Sequence, residues 1–317
     1  DLDAACGPDT ALVVVSAPSY AMGVIDPVGE VAANAAARGI PCHVDGCVGA
    51  WMLPFLRRVG VEVPRFDLSV PGVTSVSMDF HKYGFAIKGA SVVVYRDAEL
   101  RRHQVFATSR WLGYTIINPT VQSTRGGAAL AATWAVLNLL GDDGYLAAAR
   151  AMADATARLA AGLVRIAGLR LVAPPDMSLL AVASDGADLF RVADLMRARR
   201  WYVQPQLSVG RHPATLHLSV HPGHAARVEA FLADLAAAVE EARGMPTLAS
   251  EQRAGLVSVA SAALASGDLE AVLGAVGIGA NGPPDETWLV NHALDALPPG
   301  DREALLVRYL DLLYRPS

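Results

Sequence analysis

Lysine is almost absent from this chain. Of its 26 basic residues in 317 only Lys82 and Lys88 are lysines, and the rest are arginines. A composition that replaces lysine with arginine leaves a lysine where arginine cannot serve, and this singles out positions 82 and 88 before any motif is read. Cysteine is scarce as well. Cys6, Cys42 and Cys47 are an odd set with no regular spacing, which argues against a disulfide framework and for a reducing, cytoplasmic location. Charge is low and of mixed sign, at 18% charged residues and a net −5. The arginines are interspersed with acids and form no basic stripe, which excludes a general nucleic-acid binder. Long apolar runs are missing too. The longest, near 127–140, contains Asn138 and falls short of the roughly 20 residues of a membrane span. No basic leader precedes the first strand-like run, so the chain reads as a piece that starts inside a fold. What it does have is 53% hydrophobic residues, enough to build a large core and to exclude disorder.

The patterning is α/β. Ala11–Val15 is an apolar, β-branched run of the kind buried in parallel sheets. Asp26-Pro27 predicts a helix N-cap and first-turn proline, with the helix ending at Gly39. Further strands are predicted over 41–45, 73–79 and 90–95, with a short helix over 49–58. Strands alternating with crossover helices predict a mostly parallel sheet, in which ligands lie at the carboxyl ends of the strands. Two Ala-rich helices follow over 128–140 and 142–166, broken at Gly141-Asp142. Short strands near 169–173, 178–183, 201–204 and 215–220, with helices over 187–200 and 224–243, predict a small α+β domain. The remainder is helical, with a Gly/Pro linker at 277–284. Its last helix is expected to place Leu305, Leu306, Tyr309, Leu310 and Leu313 on one face. The expected divisions are 1–125 as the carboxyl-terminal portion of a large domain, 126–246 as connecting helices and small domain, and 247–317 as a helical tail.

The strongest chemical signal is DFHKYGFAIKG at 79–89. A lysine amine attacks a carbonyl only when unprotonated, so a desolvated lysine between two strands, among Phe80, Tyr83 and Phe85, is a natural Schiff-base former. Arginine cannot substitute, because its guanidinium stays protonated. A solvated loop lysine is the competing reading. The second signal is HVDGC at 43–47. A carboxylate at a strand end can keep a pyridine nitrogen protonated, and lysine plus such a carboxylate is the pair that pyridoxal phosphate requires. A metal site from Cys42, His43, Asp45 and Cys47 competes weakly, since neighbouring strand residues face opposite ways. A core histidine is the plain alternative for His43.

The order GVIDPV (23–28), HVDGC (43–47), FDLSVPGVTSVSMDFHKYGFAIKGASVVVY (66–95) and YTIINPTVQSTRGG (114–127) resembles the sphingosine-1-phosphate lyase family. These are fold-type-I pyridoxal-phosphate enzymes related to the group II amino-acid decarboxylases. The resemblance implies a pyridoxal 5'-phosphate cofactor and a fold-type-I architecture with a small carboxyl-terminal α+β domain. It implies that Lys82 forms the Schiff base, Asp45 pairs with the ring nitrogen, His81 contacts the phosphate and His43 lies close to the cofactor. Tyr20 matches a proton-transfer tyrosine. Thr124, Arg125 and Gly126 match a segment that approaches the cofactor phosphate of a neighbouring subunit, so a homodimer with shared active sites is expected. Lys88 gains no covalent role.

The sequence also departs from the family. Met22 stands where many members have histidine, and Thr-Arg-Gly-Gly-Ala replaces Ser-Arg-Pro-Gly-Gly. The family's amino-terminal part, with its phosphate loop and ring-stacking residue, has no counterpart, so the chain is expected to be an incomplete enzyme by itself. The implied reaction is retro-aldol cleavage of a small-molecule substrate, a phosphorylated amino alcohol, to a long-chain aldehyde and phosphoethanolamine. The alternatives are decarboxylation of an amino acid on the same lysine–aspartate pair, or a non-catalytic dimerisation fragment.

Overall fold

The computed structural model describes residues 5–122, 124, 126–266 and 286–314, so the 277–284 linker and Arg125 lie outside the described residues. The chain divides into two units, one built from residues 1–157, 173–179 and 220–225 and the other from 158–172, 180–219 and 226–317.

The sheet of the first unit has strands β1 (Val13–Ser16), β2 (Cys42–Asp45), β3 (Val73–Asp79) and β4 (Ser91–Tyr95), in that spatial order. β1–β2 and β2–β3 are parallel, and β4 is antiparallel to β3. Strand alternation places Val13, Val15, Cys42, Val44, Val73 and Val76 in the core, packed against Met52, Leu53, Leu56 and Phe66. A one-residue slip of β2 would carry its buried pair to the other face. Burying each such side chain is worth roughly 1.5–3 kcal/mol, so the core determines which face bears His43 and Asp45. The register shifts between Cys42 and His43, where Val73 pairs with Cys42 but Ser75 with His43. Thr74 is the extra residue, and its hydroxyl donates to the Cys42 carbonyl at 2.8 Å.

Helix Val28–Ala37 follows β1 as expected, but Asp26 does not cap it. Its carboxylate accepts instead from the Ser16 amide at 2.7 Å and fastens the end of β1. The predicted 49–58 helix is regular only over Leu53–Arg58, because residues 47–52 are turns. Gly49 lies so close to Pro18 and the Ala17 carbonyl that a Cβ would collide with both. Two features escape prediction: a short helix, Ala98–Arg102, and a hairpin pairing Phe106–Thr108 (β5) with Ile116–Asn118 (β6). Pieces this short carry too little periodicity to read.

Ala128–Leu163 is assigned as one long helix, but Gly141 has φ 53° and ψ −166° inside it. The expected break is therefore present, and glycine tolerates that positive φ. In the second unit the sheet order is β7 (Leu169–Leu171), β8 (Leu179–Ser184), β10 (Thr215–Ser219), β9 (Gln204–Gln206). Leu189–Ala198 and Val228–Gly244 are its helices. The strand predicted over 201–204 starts later, because Arg200 turns the chain at φ 66° and the Trp201 amide closes back on the Met196 carbonyl at 2.9 Å.

The helical tail comprises Ser250–Ser266, Trp288–Ala296 and Pro299–Leu313 around Ala260, Leu297 and Leu305. Asp194 accepts from the Thr287 and Trp288 amides at 2.7 and 2.8 Å, and His292 meets Asp188 at 2.7 Å. The expected apolar face of the last helix is corrected. Leu305 and Tyr309, one turn apart, face the core, whereas Leu306 and Leu310 are exposed. A step of one residue turns about 100° around a helix and takes both off the stripe. The Leu313 side chain lies outside the described residues.

Candidate active site

The candidate site lies on the polar face of the first sheet, at the carboxyl ends of its strands. Register pairs His43 with Ser75 and Asp45 with Ser77. Because side chains alternate, these four and Asp79 share the face opposite the core. His43 Nδ1 lies 2.8 Å from Ser75 Oγ. Asp45 Oδ1 accepts from the Cys47 amide at 3.0 Å and from the Ser77 hydroxyl at 3.1 Å. Cys42 points the other way and is fully buried, so it cannot join the other three residues of the weak metal reading.

Lys82 sits in the turn that follows β3. The turn is tight: Phe85 N–H bonds the Lys82 carbonyl and Ala86 N–H the Phe80 carbonyl, each at 3.0 Å. A Cβ on Gly84 would lie 2.6 Å from the Phe80 carbonyl oxygen, so the turn requires glycine there. Aromatic neighbours fix it in place. Tyr145 donates to the Gly84 carbonyl at 2.7 Å, and Trp51 packs edge-on against Phe80 and Tyr145. Tyr83, buried, donates to the Val220 carbonyl at 3.1 Å and accepts from Ser178 at 2.8 Å. Burial pushes its hydroxyl up to about 12, a neighbouring Tyr20 adding to the rise. Tyr83 is therefore an anchor, not a titrating group. Phe85 adopts φ 58°, a conformation that costs a non-glycine residue of order 1–3 kcal/mol and is held by these contacts.

The turn aims Lys82 Nζ at Asp79 Oδ2, 3.0 Å away. His81 presents Nε2 to the same oxygen at 3.5 Å, while its Nδ1 lies 2.9 Å from the Ala90 carbonyl. The Lys82 amine also contacts the Cys47 thiol. This corrects one expectation. Burial pushes the amine down, but Cys47 and Asp79 outweigh it and the net shift is upward. Lys82 rests as an ion-paired ammonium, not as a desolvated free amine. Asp45 shifts down: burial raises its carboxyl, but hydrogen bonds from Cys47 and Ser77 and the charge of Lys82 prevail. His43 also shifts down, through burial opposed by Asp45, which favours its neutral ring. Burial raises the Cys47 thiol and keeps it protonated.

Lys82, Asp45, His43 and His81 are thus brought to one face. Tyr20 stands in the loop after β1, 48% exposed. Thr124 and Gly126 are exposed, and among the described residues the structure does not bring them into the hydrogen-bonded group around Lys82. Sequence reasoning missed Asp79, Ser75 and Ser77, and weighed Cys47 only as a metal ligand. The alternating Ser-x-Ser-x-Asp of β3 was the signal that could have found all three.

Comparison with known proteins adds the following. Residues 226–312 match the family profile described as pyridoxal-dependent enzyme, C-terminal HTH domain. Over 238 residues, 75% of this chain and 43% of the relative, it is 40% identical to a sphingosine-1-phosphate lyase of Arabidopsis thaliana. A solved sphingosine-1-phosphate lyase of Burkholderia pseudomallei is 38% identical with a TM-score of 0.72, covering 82% of this chain and 58% of that one. A glutamate decarboxylase of Lactobacillus brevis, 19% identical, superposes with a TM-score of 0.63 over 74% of this chain and 56% of that one, and bears on the fold alone. The chain spans about two fifths of the length of the curated relatives it matches. The resemblance to sphingosine-1-phosphate lyases and the fold-type-I architecture are both borne out.

Proposed function

We propose that this chain, a relative of the sphingosine-1-phosphate lyases with a fold-type-I architecture, carries the reactive lysine and the ring-nitrogen carboxylate of a pyridoxal 5'-phosphate-dependent carbon–carbon lyase. Its substrate is a phosphorylated amino alcohol of the sphingoid-base class, cleaved to a long-chain aldehyde and phosphoethanolamine. One observation carries this reading: Lys82 and the ionised Asp45 share one polar face at the strand ends, close enough for the lysine charge to depress the carboxyl. That donor set fits the cofactor, with a primary amine for its aldehyde, a carboxylate for its ring nitrogen and His43 beside them.

When bound, pyridoxal phosphate supplies an electron sink for the pair left on the substrate Cα. The chain's own residues do the rest. Lys82 would hold the cofactor through its amine and would cede that place to the substrate amine. Asp45 would keep a proton on the ring nitrogen, and His81 would contact the phosphate. Tyr20 or the released Lys82 takes the proton from the substrate's β-hydroxyl oxygen, a general-base role worth about 10²–10⁴ in rate. A substrate panel on the intact protein with pyridoxal phosphate tests the reading. Aldehyde release from a phosphorylated sphingoid base is the expected result. Carbon dioxide release from an amino acid, with no aldehyde, would make the chain part of a decarboxylase instead.

The subunit acts as a homodimer in this reading. Trp111, Leu112, Tyr114, Ile117 and Trp134 are large, apolar and exposed in the hairpin and the following helix, and apolar side chains gathered on one stretch of chain are the kind a partner subunit covers. The Thr124–Gly126 segment lies between them in sequence and would meet a second subunit's cofactor phosphate. Sedimentation of the intact protein should give a dimer, and Trp134→Glu should shift it to monomer. A wild type that sediments as a monomer at micromolar concentration overturns this part.

A further inference from the structure

We propose that Asp79 is a positioning residue for Lys82: its carboxylate is the resting place of the lysine's ammonium, and breaking that ion pair is what makes the amine available to an aldehyde. The inference deepens the reading above and rests on Lys82 being its reactive lysine.

The geometry is specific. Asp79 is the last residue of β3, on the same polar face as Ser75 and Ser77. The tight turn folds Lys82 back over it, a separation of three residues, so that Nζ reaches Oδ2 at 3.0 Å. The carboxylate is 14% exposed, which keeps water from competing fully for the ammonium. The same oxygen lies 3.5 Å from His81 Nε2. The backbone of His81 is held by the Ala90 carbonyl at 3.3 Å, and that carbonyl also lies 2.9 Å from its ring Nδ1. Asp79 therefore joins the two residues that would hold the cofactor's aldehyde and its phosphate, Lys82 and His81.

Among the described residues, the charged and titratable groups facing Lys82 are Asp79 on β3, His81 in the turn, and Asp45 and Cys47 at the end of β2. Asp45 is already engaged by Cys47 and Ser77, and Cys47 is a neutral thiol. Asp79 is thus the direct anionic partner of the amine. An anion at this distance stabilises the ammonium over the amine. When the nitrogen is joined to an aldehyde carbon it is no longer an ammonium, and the ammonium–carboxylate pair with Asp79 is broken. When the amine is released, it takes up a proton and returns to Asp79. The lysine is then held within reach of the site instead of swinging into solvent. The step is a protonation only: an N–H bond forms on Nζ from its lone pair, and no electrons are transferred.

The chain's own composition supplies the test. Lys82 and Lys88 are its lysines, and Lys88 is exposed, so it serves as an internal reference. The intact protein, free of cofactor, is treated with formaldehyde and cyanoborohydride across a pH series. Methylation of the two lysine peptides is then read by mass spectrometry. In Asp79→Asn, labelling of Lys82 relative to Lys88 should move to lower pH. Each unit of that shift raises the reactive fraction at neutral pH about tenfold. Asp79→Glu should restore the wild-type profile in large part. A role confined to structure predicts slower or unchanged labelling, so a rise is diagnostic. Asp79→Ser, folded by circular dichroism, should behave as Asp79→Asn does and guards against a misfolded amide variant. If neither neutral variant lowers the Lys82 midpoint relative to Lys88, the proposal is overturned. Because the probe is a simple aldehyde, the result is independent of pyridoxal phosphate. Failure of the intact protein to bind the cofactor would sink the functional reading and leave this outcome standing.

Discussion

Lys82→Ala should abolish covalent capture of pyridoxal phosphate by the intact protein. Borohydride reduction of the wild type should fix a cofactor adduct on the peptide bearing Lys82, and the variant should show none there or at Lys88. Turnover should fall by at least the roughly 10²–10⁴ typical of a lost catalytic acid–base group, and by more where attachment itself is essential. The fold should survive. The side chain is 32% exposed and leaves one ion pair with Asp79; pairs this open to solvent are worth ~0–1 kcal/mol. The turn is held by Tyr83, Tyr145 and Gly84, none of which depends on the amine. Lys82→Arg sharpens the experiment. It keeps a cation for Asp79 but supplies no nucleophile, since the guanidinium does not deprotonate. Both variants should therefore fail alike. An adduct that persists at its usual stoichiometry in Lys82→Ala sinks the assignment of this lysine.

How far such a site can be read from sequence depends on what each residue's role rests upon. β3 was legible to its bounds, Val73–Asp79, because Ser75, Ser77 and Asp79 alternate with Val76 and Met78 and alternation is a local signal, whereas the extra residue Thr74 was not. β5 and β6 were not. Each has three residues, fewer than two periods of the pattern, and only their mutual pairing defines them. The nearness of Lys82 and Asp45 was legible through motif resemblance, since HVD closes β2 and HK follows the end of β3. The protonation of Lys82 was not, for it depends on a turn that folds the chain back onto Asp79. Local sequence showed a lysine among aromatics and suggested desolvation. In three dimensions the aromatics pack under the turn and the amine looks out at carboxylate and thiol. The tail shows the same limit. A run of leucines predicts an apolar helix, but only packing around Ala260 and Leu297 selects Leu305 and Tyr309 over Leu306 and Leu310.

Asp45→Asn should separate cofactor capture from catalysis. The amide is isosteric, and its oxygen can still accept from the Cys47 amide and the Ser77 hydroxyl, which now hold Oδ1 at 3.0 and 3.1 Å. The end of β2 should therefore keep its shape, and the melting temperature should change little. What is lost is the negative charge. Hydrogen bonds and the Lys82 cation hold this carboxyl below its ordinary range despite burial, so it is an anion throughout neutral pH and can keep a ring nitrogen protonated. A neutral amide cannot, and the electron sink weakens accordingly. Turnover should fall by about 10²–10⁴, while borohydride still fixes an adduct on Lys82. Acid should reproduce the defect in the wild type. A carboxyl with a depressed folded-state value keeps its charge, and contributes its share of stability, above the unfolded value of about 3.9. Both are lost only as pH falls through the lower folded value, so an acid limb set by this group lies below the ordinary carboxylate range. A variant that loses adduct and turnover together would place Asp45 in cofactor binding rather than in charge stabilisation, and one with wild-type turnover would remove it from the mechanism.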